Sequence, residues 1–94
     1  MNIDRIILDR IGTGEKNAAP SGDLETVTGL PVRDVRRRIE ALRRAGCVIC
    51  SSERGYFFPA SRSELLRFVM KERKRAGSIK QSLKSAERRL KQWQ

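Results

Sequence analysis

The chain has 94 residues, 38% hydrophobic and 34% charged, with 21 Lys and Arg against 11 Asp and Glu for a formal net charge of +10. That length and apolar content suit one domain with one small core, and they exclude a wholly disordered chain. Histidine is absent, which removes the usual general base at neutral pH and the commonest metal ligand; there is no run of about 18 apolar residues to span a bilayer, and the acids within residues 1–10 fit no signal peptide, so a cytoplasmic protein is expected.

Residues 2–11 place Ile3, Ile6, Ile7 and Ile11 at helical spacing, and Gly12-Thr13-Gly14 ends that helix. A polar loop runs from Glu15 to Pro20, with a short strand expected at Asn17-Ala18-Ala19. Ser21 is the expected N-cap of a second, short helix whose first turn carries Asp23 and Glu25 and whose apolar face is Leu24 and Val27. Gly29-Leu30-Pro31 reads as a sharp turn that drops Leu30 into the core and starts a third helix at Pro31. Over residues 31–46 the apolar positions Val32, Val35, Ile39, Leu42 and Ala45 form one helical stripe, with most of the arginines off it and Gly46 closing the helix.

Two β-prone runs follow, Cys47 to Ser51 and Tyr56-Phe57-Phe58. They are joined by the turn-prone Ser52-Glu53-Arg54-Gly55 and predict a β-hairpin that Pro59 stops. Cys47 and Cys50 supply only two of the four ligands a structural zinc needs, and they lie in a β-like run rather than at a helix start. They read as strand filler, with a zinc shared between chains or an oxidation-sensitive pair as the alternatives. No metal, cofactor or small-molecule ligand is expected. From Ser61 or Ser63, either of which can cap, the residues Leu65, Val69, Glu72, Ala76, Ile79, Leu83, Ala86, Leu90 and Trp93 recur in alternating steps of four and three, the seam of a coiled coil. Gly77 is its weak point, so the segment is one long helix or two helices hinged there.

The charge is uneven. Residues 1–60 hold ten Lys and Arg against eight Asp and Glu, a net of +2, whereas residues 61–94 hold eleven against three, a net of +8. Such a balance points to polyanionic partners.

The order of elements, with Asp23-Leu24-Glu25, Thr28-Gly29-Leu30, the spacing Val32, Val35, Ile39, Leu42, Gly46, and then Val48-Ile49-Cys50 and Gly55-Tyr56-Phe57, resembles the winged helix-turn-helix domains of bacterial and phage regulators. The resemblance is to the type at the N-terminus of biotin-repressor-like proteins, and the whole chain looks like small phage or prophage proteins that add a basic helix to such a domain. It implies an α+β, mainly α fold: three helices and a hairpin wing over residues 1–60, then a helical segment over 61–94. It also implies double-stranded DNA as the partner.

A helix fits the major groove and its first turns reach base edges. Those turns hold Pro31, Val32, Arg33, Asp34, Arg36 and Arg37. Arg33, Arg36 and Arg37 are the candidates for guanine O6 and N7, Asp34 either accepts from a cytosine amino group or favours the helix dipole, and Arg38, Arg43 and Arg44 meet phosphate or solvent. Arg54 at the hairpin tip is the candidate for the minor groove or backbone. Residues 62–93 are expected to form a homodimer, with a fold-back at Gly77 or a basic DNA-binding arm as the other readings. The competing functions are a protein-interaction module whose basic helix docks an acidic partner and a non-specific RNA or single-strand binder. An enzyme is not expected, because the sequence holds no nucleophile–base pair, glycine-rich phosphate loop or metal set.

Overall fold

The computed structural model describes residues 2–93. Over that range the protein is α+β and mainly helical: α1 (Ile3–Arg10), β1 (Gly12–Thr13), a 3-10 turn (Glu15–Asn17), α2 (Ser21–Thr28), α3 (Val32–Arg44), β2 (Cys50–Ser52), β3 (Gly55–Phe58) and α4 (Arg62–Gln92). Among the described residues no helix is long and apolar enough to cross a membrane.

Two of the four α-helices, α1 and α4, begin at a side chain that accepts from a free amide. The Asn2 side chain accepts from the Arg5 amide at 3.1 Å, and Ser61 Oγ accepts from the Glu64 amide at 3.2 Å. Ser21 is not a cap. Pro20 holds that position in an extended conformation, and its carbonyl accepts from the Asp23 and Leu24 amides, so Ser21 is the first residue inside α2. Gly29 ends α2 with φ +73°, and the Thr28 hydroxyl accepts from the Leu30 amide at 3.2 Å to close the turn into α3. Pro31 is the N-cap of α3 rather than its first residue. The far end closes in a Schellman arrangement: the Gly46 amide donates to Arg43 O at 3.0 Å and the Cys47 amide to Leu42 O at 2.9 Å. That bond holds Cys47 to the helix end, and β2 starts only at Cys50.

The sheet has the order β1-β3-β2. β2 and β3 are antiparallel, with Cys50 opposite Phe57 and Ser52 opposite Gly55, and β1 runs parallel to β3. β1 falls where the sequence predicts only a helix stop. The expected strand at residues 17–19 is instead the end of the 3-10 turn followed by a single bridge, in which Ala19 and Tyr56 exchange amide hydrogen bonds of 2.8 and 2.9 Å.

The core is Ile7, Ile11, Ala19, Leu24, Val35, Ile39, Leu42 and Ile49, joined by buried Cys50 and Phe57. Each fully buried aliphatic side chain among them stabilises the fold by about 1.5–3 kcal/mol. Val27 does not belong to this face. It is 40% exposed, because α2 is two turns long and Leu24 already fills its contact with the core. Tyr56 and Phe58 pack on the rim, so the three aromatics of β3 serve the core.

α4 is one unbroken helix that runs through Gly77, which corrects the hinged pair and removes the fold-back. Its first turns lie on the body: Leu65, Phe68, Val69 and Glu72 are half-buried, Lys71 Nζ donates to Ser51 O at 3.2 Å, and Glu64 accepts from the Glu15 amide at 3.1 Å and the Ala60 amide at 2.8 Å. These contacts cross the boundary expected after residue 60. The hydrogen bond from Ala60, then that from Glu15, holds the Glu64 carboxyl below the usual carboxylate range. A depressed pKa contributes stability that is present above the unfolded value, about 4.3 for Glu, and is lost as pH falls through the folded value. Thermal melts of Glu64→Gln are therefore expected to be lower than wild type at neutral pH and to converge with it below about pH 4. A constant difference across that range would show that the carboxylate charge plays no part.

Candidate nucleic-acid interface

α3 buries Val35, Ile39 and Leu42 and turns the opposite side outward. Along that side lie Arg33, Arg37, Glu40 and Arg44, at the spacing i, i+4, i+7, i+11 that stacks residues on one helical face. Val32 and Arg36 complete the patch, which surrounds an open depression of about 350 Å³. All four arginines of the patch are exposed, and among the described residues none of them has a carboxylate partner. Pro31 stands exposed at the start of this face, its carbonyl accepting from the Asp34 amide at 3.0 Å and the Val35 amide at 3.1 Å.

The arginines fall into separate groups. Asp34 is half-buried in the first turn, on the flank that also carries Arg38. Arg38 Nη1 reaches Asp4 on α1 at 3.5 Å and so leans away from the Arg33–Arg37 face. Arg43 is not a phosphate or solvent residue. Its Nε donates to Ile49 O at 2.8 Å, Nη1 to Glu40 at 2.9 Å and Nη2 to Ser51 Oγ at 3.3 Å, and its guanidinium lies 5.0 Å from the Phe68 ring centroid. One side chain thus ties α3 to β2 and α4, a cation–π and hydrogen-bond anchor in place of a free cation. Arg44, by contrast, shares the outward stripe with Arg33 and Arg37, a placement its i+11 spacing already carries.

The hairpin turn is Glu53-Arg54. Ser52 Oγ accepts from the Arg54 amide at 3.1 Å, and the exposed Arg54 side chain has no carboxylate partner among the described residues. Cys47 and Cys50 are both free thiols, and burial pushes the Cys50 thiol up, keeping it protonated and unreactive. Among the described residues no group of three or more His, Cys, Asp or Glu is placed to hold a metal ion.

Beyond Glu72 every described residue of α4 is exposed. Ile79, Leu83, Leu90 and Trp93 are 56–73% exposed along the far half of the seam, and Arg89 lies 5.3 Å from the Trp93 ring centroid. No family model, curated protein or solved structure matches this chain.

Proposed function

We propose that the protein binds duplex DNA in the winged helix-turn-helix manner, with α3 in the major groove and the β2–β3 hairpin as the wing, as a bacterial or phage transcriptional regulator or replication accessory. The observation that carries this reading is the unpaired stripe Arg33, Arg37, Arg44 on a helix whose other face is locked into the core. Arginine forks on a rigid helix suit bidentate contact with guanine, and the N-terminal turns are those that reach base edges. In this reading Arg33 and Arg37 read bases, with Val32 and Asp34 beside them. Pro31 approaches the backbone, Arg44 meets phosphate, and Arg54 enters a minor groove or touches the backbone. Arg38, held toward Asp4, sits at the margin. Salt-titrated binding to a 20-base-pair duplex, a single strand of the same sequence and an RNA hairpin tests it. The duplex is expected to bind tightest at every salt concentration. Equal or tighter binding of the single strand or the RNA defeats the proposal.

The protein also pairs with a second copy of itself in this reading. Leu65 and Val69 are occupied by the body, so the free seam is Ala76, Ile79, Leu83, Ala86, Leu90 and Trp93, a narrower stretch than residues 62–93. The apolar positions keep the heptad spacing of a two-helix contact. Arg75, Lys80 and Arg89 flank the seam against the single acid Glu87, so like charges predominate across it, and salt screens that repulsion. Sedimentation is expected to show the dimer fraction rising with NaCl, the reverse of DNA affinity. Leu83→Asp is expected to leave a folded monomer, and an unchanged dimer in that variant places the contact elsewhere.

A further inference from the structure

A second cleft, of about 410 Å³, opens between α3, the hairpin and α4. Its wall is formed by Arg36, Glu40 and Arg43 from α3, Ser51 and Tyr56 from the sheet, and Arg75 from α4. The charges in it do not cancel. Arg43 is committed to Ile49 O, Glu40 and Ser51, and in turn it answers the charge of Glu40. Arg36 has no carboxylate partner among the described residues. Arg75 makes only a long contact of 3.7 Å to Glu72, with its side chain 72% exposed, a weak pairing that a better anion displaces. Ser51 Oγ accepts from Arg43 at 3.3 Å and keeps its own hydroxyl hydrogen to donate. One unpaired guanidinium fork, one weakly paired fork and a hydroxyl, brought by three different elements, thus line one open space beside the outward face of α3.

We propose that this cleft seats one backbone phosphate of the DNA duplex, gripped between Arg36 and Arg75. The inference rests on the duplex-binding reading above and adds to it a site that includes α4. A guanidinium matches the two free oxygens of a phosphodiester, and two forks from separate elements fix that phosphate in place rather than merely attract it. Arg36 therefore positions the backbone, and base reading is left to Arg33 and Arg37. α4 is part of the interface from its fourth turn, so the excess charge after residue 60 begins at the α3 face and not at a remote end.

The test compares wild type, Arg75→Ala, Arg75→Lys, Arg36→Ala and the double alanine variant on a 20-base-pair duplex between 50 and 200 mM NaCl. Arg5→Ala on α1 controls for the loss of one charge anywhere. Arg75→Ala is expected to weaken binding about tenfold at the lower salt and to reduce the log–log salt slope by about 0.9, the value for one phosphate. Preferred and random duplexes should lose affinity alike. Arg75→Lys should recover most of the slope, because charge is kept, but not all of the affinity, because the fork is lost. Arg36→Ala should cost less in the Arg75→Ala background than in wild type, since both side chains hold the same phosphate. If wild type binds the duplex and Arg75→Ala behaves as Arg5→Ala does, the phosphate site is refuted while duplex binding stands. If wild type does not bind the duplex, the duplex-binding reading fails and takes this site with it. Matched thermal melts of Arg75→Ala and wild type establish that a lost contact is not lost folding.

Discussion

Gly55→Ala is expected to lower the melting temperature by about 15 °C or more. Gly55 sits at φ +125° where the hairpin turns into β3. A Cβ there falls 2.7 Å from Pro20 N and overlaps the Ala19 carbonyl, both rigid backbone atoms. The backbone conformation alone costs an alanine about 1–3 kcal/mol. Relieving the overlap also parts Ala19 from Tyr56, whose paired hydrogen bonds contribute about 1 kcal/mol each. A total of about 3–5 kcal/mol is a large share of the stability of a domain this size. Gly46→Ala supplies the comparison. Its φ is +107°, but its Cβ meets nothing within 4 Å, so only the backbone cost of about 1–3 kcal/mol applies. Differential scanning calorimetry of both variants decides the matter: equal shifts would show that the packing of Gly55 against residues 19 and 20 contributes nothing.

Arg33→Ala and Arg37→Ala are each expected to weaken binding to a preferred site by about 1–3 kcal/mol, roughly 5- to 150-fold, and to relax the base preference at one position each. On random duplex the same variants should lose much less. Arg44→Ala, two turns further from the N-terminal end of α3, should weaken both kinds of duplex equally. Sites selected from a randomised pool, then bound by each variant at fixed salt, provide the measurement. Losses of the same size on selected and random DNA would reduce Arg33 and Arg37 to phosphate contacts and leave sequence preference without a reader.

Much of this arrangement is legible in the sequence because it is local. The stripe Val35, Ile39, Leu42 and the glycines after α2 and α3 mark the helices within a few residues, and the same periodicity puts Arg33, Arg37 and Arg44 on the opposite side. What is not legible depends on partners distant in the chain. Arg38 and Arg43 look like their neighbours in the sequence, yet one is drawn to Asp4, 34 residues away, and the other to Ile49 O and the Phe68 ring. β1 is only Gly12 and Thr13, too short to show a strand pattern, and it exists because β3 leaves an edge to pair with. Val27 has the spacing of a core residue on a helix too short to bury a second turn. Arg75 belongs to a heptad pattern by sequence and to the α3 cleft only through the docking of α4 on β2, anchored by Lys71 at Ser51.

The continuity of α4 through Gly77 couples two properties that a flexible joint would separate. From Arg75 to Gln92 the helix is a rod of about 26 Å, and each residue along it turns the chain by about 100°. The seam at Ile79, Leu83 and Leu90 is therefore held at a fixed angular phase to the cleft at Arg75. Inserting a single residue after Gly77 would swing that seam by more than a quarter turn without touching either end. In the proposed dimer the rod sets the distance and the rotation between one α3 cleft and the next, as a gauge block does. On that proposal its length contributes to recognition in addition to the side chains it carries.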